Sequence, residues 1–304
     1  MSDSAFTVLF ATRNGERVLP RTLEGYCRTE KPPHSWKMVI VDNGSDDRTA
    51  DILASFRKRL PLETLQQSTP GKNCALNLGL GALEGRLAII TDDDAIPDPT
   101  FLIAWSGYLN MHGDYQLFGG SIVPLFETPP PRWMPRSNRQ CGVLFAARDL
   151  PEGPISPNEI YGPNMAVRSS VFESGFRFNE DIGPNGSDPN YPMGSETEFC
   201  CRVARNGARA WFAKKPRVQH IIRSGQLASA YWAQRSYQHG RGFAKLTLES
   251  GDITPSNKLR RYFVGQLLRL RYRAAMFSPF PLQRFNGLCD YHWTRGYQDE
   301  WKTH

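Results

Sequence analysis

Three consecutive aspartates, Asp92, Asp93 and Asp94, follow the apolar run at residues 87–90 after a single threonine. Carboxylates this close repel one another and raise each other's pKa unless a positive group relieves them. The cluster has three interpretations. It could be a solvated turn whose aspartates cap a helix, a pair of carboxylates for acid–base chemistry, or a site for a hard cation such as Mg²⁺ or Mn²⁺.

The first third of the chain alternates between strand-like and helix-like patterns. The apolar runs that predict strands are residues 6–14, 38–47 and 86–94. The segments with helical spacing of apolar residues are 17–27, 48–60 and 71–85. This order predicts an α/β fold with right-handed crossovers and a mostly parallel sheet.

Polar residues follow each of these predicted strands. In open α/β sheets, ligands bind beyond the carboxyl ends of the strands. Asn14, the segment 42–45 and the aspartates at 92–94 are therefore expected to line one crevice. A divalent cation there would relieve the repulsion and leave coordination positions for a diphosphate. The crevice favours the cation interpretation of the aspartates.

The middle of the chain is less regular than its beginning. Residues 126–138 are rich in proline and residues 183–195 in Gly, Pro and Asn, so both predict loops. A helical pattern follows at 196–207, and residues 209–222 predict strands. The remainder, residues 226–304, is helical in pattern and basic.

The chain as a whole is basic. Its 304 residues carry a net charge of +7, which suits polyanionic partners. No helix-turn-helix, zinc-finger or RNP-like pattern is present, so nucleic acid is not an expected partner. No apolar run approaches the roughly 20 residues of a membrane helix, and the N-terminus lacks the features of a signal peptide. We therefore expect a cytoplasmic protein.

Four stretches, in order, resemble the family 2 glycosyltransferases with the GT-A fold. They are ATRNGERVLPRTLEGY, VIVDNGSDDRTADIL, GKNCALNLGLGALEGRLAIITDDDAIPDP and, after YGPNMAVRSSVF, GSETEFCCRVARNG. The resemblance covers roughly residues 5–222. It implies a Rossmann-like, mostly parallel sheet flanked by helices in a catalytic domain at 1–225. Its nucleotide-binding half would be 1–100 and its acceptor-binding half 101–225, before a helical basic region at 226–304.

The resemblance also implies roles for single residues. Glu196 matches the acidic position that serves as general base, and Asp94 and His220 match positions near the metal. The residues that match nucleotide-sugar-binding positions are Thr12, Arg13, Asn14, Asp42, Lys72, Asp92 and Asp93. The residues expected near the acceptor are Trp133, Asn164 and Glu198.

Five of these residues also have a structural interpretation. Asp42 could be a turn aspartate, Lys72 an exposed lysine at a helix start, and His220 a strand histidine with a satisfied hydrogen bond. Asn164 could hold a turn instead of contacting the acceptor. Trp133 could stack on a sugar or pack in a core.

The chain departs from the family pattern at the base. The usual Glu-Asp pair is replaced by Ser195-Glu196, so the base would be one methylene longer, and Glu198 competes for the role. The Q-x-x-R-W motif of processive synthases is also absent, which favours transfer of one sugar over polymerisation.

These observations predict a metal-dependent, inverting hexosyl- or N-acetylhexosaminyltransferase of polysaccharide biosynthesis. Its donor would be a nucleotide-activated sugar, first of all UDP-linked, and its cofactor Mn²⁺ or Mg²⁺. Its acceptor would be a saccharide or a lipid-linked molecule. Two alternatives stay open: a sugar nucleotidyltransferase, and a non-catalytic module that binds membrane or polyanion.

The segment 258–277 is the basis of that last alternative. It carries six Lys or Arg residues, no acid, and interleaved apolar residues. A basic amphipathic helix on an anionic membrane, at its inner face, would have this pattern. A helix packed on the catalytic domain with a solvated basic face would have it too.

Overall fold

The computed structural model describes residues 4–110, 113–132, 134, 142, 144–186, 188–249 and 255–303. Trp133, predicted to lie near the acceptor, falls outside the described residues. Within this part of the chain, nine strands form one sheet in the order β3-β2-β1-β4-β8-β6-β9-β5, with β7 paired to β9. The strands are β1 Ser4–Thr12, β2 Ser35–Asp42, β3 Leu62–Gln66, β4 Leu87–Thr91, β5 Ala95–Pro97, β6 Leu117–Phe126, β7 Gly153–Ile155, β8 Asn164–Arg168 and β9 Ala210–Ile222.

The first four strands are parallel, as the alternating pattern predicts. β1 pairs with β2 and β4, and β2 pairs with β3. In the β1–β2 ladder Thr12 lies opposite Asp42. The carboxyl ends of these strands therefore meet at one edge, which is where the crevice was predicted.

The later strands join the sheet in antiparallel fashion. β8 pairs with β4 and β6, whereas β5 and β7 pair with β9. The segment predicted as several strands, 209–222, is the single strand β9. The sheet is thus mixed, and its parallel first part carries the predicted α/β architecture.

Helices connect the strands and cover the sheet. The described helices are α1 Leu19–Cys27, α2 Thr49–Phe56, α3 Lys72–Leu80, α4 Phe101–Gly107, α5 Ser169–Glu173, α6 Ser195–Arg205, α7 Ser229–Glu249, α8 Pro255–Met276 and α9 Pro281–Lys302. The third predicted helix, 71–85, ends earlier, at Leu80. Gly81 follows as its C-cap, and Gly85 adopts a φ of 83°, a left-handed conformation that glycine tolerates best.

Both faces of the central strands are buried, so their sequences read as continuous apolar runs. On β1, Phe6, Val8 and Phe10 belong to one core cluster and Leu9 to another. This division follows the two-residue period of a strand. Every residue of β4 is buried as well. A strand buried on both faces needs no polar alternation, which is why this part of the fold was predictable.

Helix α3 packs closely on the sheet at Gly79, which faces β1 and β2. A Cβ at this position would overlap a Leu9 methyl group and would lie 3.0 Å from Cγ2 of Val41. The missing side chain lets the helix approach β1 and β2. That approach fixes the start of α3, where Lys72 lies.

The chain divides into two compact units. The first comprises Met1–Leu125, Ser137–Glu180 and Glu196–Ile221, and the second Phe126–Arg136, Asp181–Ser195 and Ile222–His304. The predicted helical character of residues 226–304 is confirmed, since α7, α8 and α9 occupy most of this segment. The predicted functional division at residue 225 stays a prediction. None of the described helices has the length and apolar character needed to cross a membrane.

Glycines allow close helix packing in the second unit. A Cβ at Gly240 of α7 would overlap the carbonyl of Trp293, and a Cβ at Gly296 of α9 would overlap that of Tyr237. The two helices therefore cross at backbone distance. A Cβ at Gly242 would likewise overlap the carbonyl of Met193, so the loop before α6 lies directly on α7.

Arg241 of α7 joins this loop to the helices through ion pairs. Its Nε donates to Oε2 of Glu300 on α9 at 2.6 Å. Its Nη1 donates to Oδ2 of Asp188 at 2.9 Å and to the carbonyl of Asn190 at 2.6 Å. The carboxylate of Glu300 is buried, so Arg241 compensates a charge that water does not reach.

We expect Arg241→Met to lower the free energy of unfolding by about 3 kcal/mol, because it removes the guanidinium that compensates the buried Glu300 carboxylate. Urea unfolding followed by tryptophan fluorescence measures this change. Lys302→Met is the matched control, since Lys302 pairs with Asp299 at the surface and should cost less than about 1 kcal/mol. Equal losses of unfolding free energy in both variants would contradict the role of Arg241 in compensating a buried charge.

Candidate active site

The loop after β1 is tied to the loop after β2 by Asn14. Its backbone N–H donates to Oγ of Ser45 at 2.9 Å, and its Oδ1 accepts from the N–H of Asp46 at 3.0 Å. Asn14 has a φ of 53°, a left-handed conformation that asparagine adopts more readily than most residues. Both Asn14 and the preceding Arg13 are exposed. The two loops thus present polar groups at the carboxyl edge of the sheet.

Asp42 lies at the end of β2 and is buried. Its Oδ1 accepts from the N–H of Ser45 at 3.0 Å and from the Ser45 hydroxyl at 2.6 Å, and its Oδ2 accepts from Nε2 of Gln66 at 3.3 Å. Asp42 therefore organises the turn after β2. The predicted contact with a nucleotide base stays a prediction.

Asp93 is bound to the end of β1. Its Oδ2 accepts from the hydroxyl of Thr12 at 2.6 Å, and its carbonyl accepts from the hydroxyl of Thr22 on α1 at 2.7 Å. Thr12 itself is buried. A Cβ at Gly15 would lie 2.5 Å from the Thr12 hydroxyl and 3.3 Å from the Asp93 carboxylate. The glycine makes room for this pair.

Lys72 is a positive partner that the aspartate cluster requires. Its Nζ lies 2.7 Å from Oδ1 of Asp92 and 2.8 Å from Oε1 of Glu196. One ammonium group therefore joins the end of β4, the start of α3 and the first turn of α6. Residues that are 124 positions apart in the chain meet there.

Lys72, Asp92 and Glu196 lie close enough for the charge of each to shift the pKa of the others. Burial alone would lower the pKa of Lys72, but the carboxylates of Asp92 and Glu196 outweigh it and raise that pKa. Burial raises the pKa of Asp92, with Asp94 and Glu196 adding to the effect and Lys72 opposing it. The cluster is thus held together by Lys72 and still carries an excess of carboxylates.

Asp94 and His220 lie side by side because β5 pairs with β9. His220 stands opposite Ala95 in this ladder, and the N–H of Ile221 donates to the carbonyl of Asp94 at 2.8 Å. Nε2 of His220 lies 3.4 Å from Oδ1 of Asp94. Burial alone would lower the pKa of His220, but Asp94 outweighs it and raises that pKa.

The donor atoms of this pair suit a divalent cation. Nδ1 of His220 lies 2.8 Å from the carbonyl oxygen of Phe145. When Nδ1 carries the proton and donates it to this oxygen, Nε2 keeps a lone pair beside the Asp94 carboxylate. In the part of the chain that the structure describes, no three His, Cys, Asp or Glu side chains form a ready-made metal group. Asp94 and His220 would supply two ligands to such a cation.

Glu196 lies in the first turn of α6, near the positive end of the helix dipole. A Cβ at Gly162, in the segment before β8, would overlap the Glu196 carboxylate. Gly162 therefore gives this carboxylate its place beside Lys72. Gly162 was not predicted from the sequence, because no local pattern relates it to Glu196, which is 34 positions later. The one indication of its importance was its position in YGPN, close to Asn164.

Glu198 has a different environment from Glu196. Its side chain is 3% exposed, and its two oxygens accept from Nε of Arg202 at 2.5 Å and from Nη2 at 3.1 Å. Arg202 also donates to the carbonyl of Arg177. This bidentate pair favours a structural role for Glu198 over contact with an acceptor or with a proton in transfer.

Asn164 is fully buried at the start of β8. Its Nδ2 donates to the carbonyl of Ser121 at 2.9 Å and to that of Pro216 at 3.0 Å. It thereby links three neighbouring strands of the sheet. The burial favours a structural role over contact with an acceptor.

A comparison with protein families identifies one match. The model described as glycosyl transferase family 2 matches residues 7–176, which is more than half of the chain. The matched segment includes most of β1, all of β2 to β4, the three aspartates and Lys72. It ends before Glu196.

Two curated relatives show the range of sequence similarity. Poly(ribitol-phosphate) beta-N-acetylglucosaminyltransferase TarS of Staphylococcus aureus is 27% identical over 170 residues, covering 52% of this chain and 29% of the relative. Probable glycosyltransferase YdaM of Bacillus subtilis is 28% identical over 295 residues, covering 90% of this chain and 60% of the relative. The chain thus spans less than two thirds of the length of either.

Two solved structures share the fold. Mannosyltransferase PcManGT from Pyrobaculum calidifontis, solved with GDP-Man and Mn²⁺, gives a TM-score of 0.63 at 17% identity, covering 99% of this chain and 89% of the other. Residues 1–349 of S. aureus TarS with UDP-GlcNAc give 0.57 at 13% identity, covering 99% and 92%. The likenesses confirm the predicted GT-A fold.

The different environments of the two glutamates lead to a stability prediction. We expect Glu198→Gln to lower the free energy of unfolding by about 2 kcal/mol, because a buried, charge-assisted pair with Arg202 is lost. Glu196→Gln should leave it within about 1 kcal/mol of the wild type or raise it, because it removes one of several crowded carboxylates. Urea unfolding of both variants measures the difference. A larger loss for Glu196→Gln would be inconsistent with this geometry.

Proposed function

The chain belongs to glycosyl transferase family 2, and on that premise we propose that it transfers one sugar from a nucleotide-sugar donor to an acceptor hydroxyl with inversion. The donor is UDP-linked, and the acceptor is a saccharide or a lipid-linked molecule. The observation that carries the proposal is Lys72 between Asp92 and Glu196. Lys72 brings Asp92, predicted to bind the sugar donor, together with Glu196, the predicted base, at the edge of the sheet.

The donor nucleotide lies against the loops that follow β1 and β2. Asp42, at the end of β2, contacts the base, while Arg13 and Asn14 line the nucleotide from the neighbouring loop. Asp92 faces the ribose and the sugar. The support for this arrangement is that all of these residues follow parallel strands at one sheet edge, where ligands of such sheets bind.

Asp94 and His220 hold the divalent cation, Mn²⁺ or Mg²⁺. When bound, the cation stabilises the negative charge that develops on the departing diphosphate. The Asp94 carboxylate suits either ion, whereas the His220 imidazole favours Mn²⁺ over Mg²⁺. The presence of Mn²⁺ with GDP-Man in the PcManGT structure supports a cation in this fold.

Glu196 is the general base. It accepts the proton of the acceptor hydroxyl while that oxygen attacks the anomeric carbon from the side opposite the diphosphate, and this single displacement inverts the configuration. The ammonium group of Lys72 and the helix N-terminus both favour the charged carboxylate that a base needs. The pairing of Glu198 with Arg202 leaves Glu196 as the better placed of the two glutamates.

A donor screen tests the proposal. UDP-, GDP- and dTDP-sugars are incubated with Mn²⁺ and candidate acceptors, and released nucleotide and glycosylated product are measured. A chelator arm tests the cation, and nucleoside triphosphates with sugar phosphates test the nucleotidyltransferase alternative. Consumption of triphosphate without use of a nucleotide sugar, or full turnover in excess chelator, would contradict the proposal.

We expect Glu196→Gln to reduce transfer by roughly 10²–10⁴-fold, the usual scale for loss of a general base. Donor affinity, measured by calorimetry, should stay near that of the wild type, because the amide keeps the shape of the side chain. Glu198→Gln is the matched control and should reduce the activity of the folded fraction much less. The opposite ranking would assign the base to Glu198.

Gly162→Ala separates the position of the base from its chemistry. The added methyl group would displace the Glu196 carboxylate, which is the mobile end of a side chain, so the fold should tolerate it. We expect transfer to fall at least about tenfold, since misplacing a reacting group by about 1 Å can cost about 10² in rate. The melting temperature and donor affinity should change little. Unchanged transfer would argue against Glu196 as the base.

A further inference from the structure

Helix α8 carries a line of exposed apolar side chains. Leu267 is 68% exposed, Leu270 64% and Phe277, at the end of the helix, 86%. Phe280 and Leu282 continue the exposed apolar surface through the turn into α9. We define Leu267, Leu270 and Phe277 as the apolar stripe. Contiguous exposed apolar side chains of this size mark surfaces that bind something.

The apolar stripe lies on the side of α8 that faces away from α9. Gly265 and Arg269 face α9, because a Cβ at Gly265 would overlap the amide of Gln298 and Nη1 of Arg269 donates to Oε1 of Gln298. Leu267 and Leu270 follow Gly265 by two and five residues. At about 100° per residue they point roughly to the opposite side of the helix.

Basic residues flank the apolar stripe. Arg271 and Arg273 are both exposed and, by the same helical spacing, lie on its two sides. The segment 255–277 contains six Lys or Arg residues and no Asp or Glu. Asp290 on α9 is a nearby carboxylate; burial raises its pKa, and Arg271 opposes that shift. Cations therefore outnumber anions along this helix.

We propose that α8 and the α8–α9 turn dock onto an anionic lipid membrane, with the apolar stripe at the acyl boundary and Arg271 and Arg273 at the headgroups. An apolar face bordered by basic residues is the pattern of helices that lie in the membrane interface. Charge complementarity favours lipid over a second copy of the chain, because two copies meeting here would bring their cations together. The proposal does not depend on the transferase activity, since docking requires neither donor nor acceptor.

Cosedimentation of the full chain with vesicles tests the proposal. Vesicles of phosphatidylcholine are compared with vesicles of equal parts phosphatidylcholine and phosphatidylglycerol. The wild type should bind the mixed vesicles in preference, and added NaCl should weaken the binding. Arg271→Gln/Arg273→Gln should lower the partition coefficient about 30-fold, and Leu267→Ser/Leu270→Ser at least about tenfold.

Arg57→Gln/Lys58→Gln is the matched control, because these exposed residues carry the same total charge on the other compact unit. It should bind vesicles as the wild type does. Circular dichroism checks that all variants stay folded, which their exposed positions favour. Equal binding of both vesicle types would overturn the proposal, and so would equal losses in the control and the arginine variant. Self-association abolished by Leu267→Ser/Leu270→Ser, with vesicle binding unchanged, would instead assign the stripe to a second copy.

Discussion

The ammonium group of Lys72, between Asp92 and Glu196, is the interaction on which the site depends. The strand ends bring carboxylates together, and like charges at this distance are unfavourable unless a cation lies among them. Lys72 relieves that repulsion only because α3 begins in the right place, and Gly79 sets that place by letting the helix approach β1 and β2. The packing of α3 on the sheet therefore determines whether the carboxylates of the site have a positive partner.

The sequence predicts the parallel first part of the fold well. β1, β2 and β4 are buried on both faces, so their apolar runs and the polar residues after them are unambiguous. β3 was not predicted because it is only half-buried, and β5 and β7 were not predicted because each has three residues. β6 and β8 were not predicted either. β8 pairs with β4 and β6 across distant segments of the chain, so no local pattern indicates these antiparallel pairings.

The residues of the candidate site were named from the sequence, but the contacts between them were not predicted. Asp92, Asp94, Lys72 and Glu196 carry a recognisable order along the chain, yet the bridge made by Lys72 depends on tertiary packing. Glu196 and Glu198 look equivalent in sequence, and their burial and partners distinguish them. Gly162 was not predicted for the same reason. It leaves space for the carboxylate of Glu196, which is 34 residues away in the chain.

The pairing of β4 with β8 has a consequence for how the protein can be divided. β4 ends in the aspartates, and its second edge is covered along its whole length by β8, at residues 164–168. A fragment that ended near residue 110 would keep the loops after β1 and β2 but expose the apolar edge of β4, and such edges template aggregation. The first four strands are therefore not an autonomous module. During synthesis β8 emerges after β4, so the second edge of the aspartate-bearing strand stays uncovered until residues 164–168 have left the ribosome.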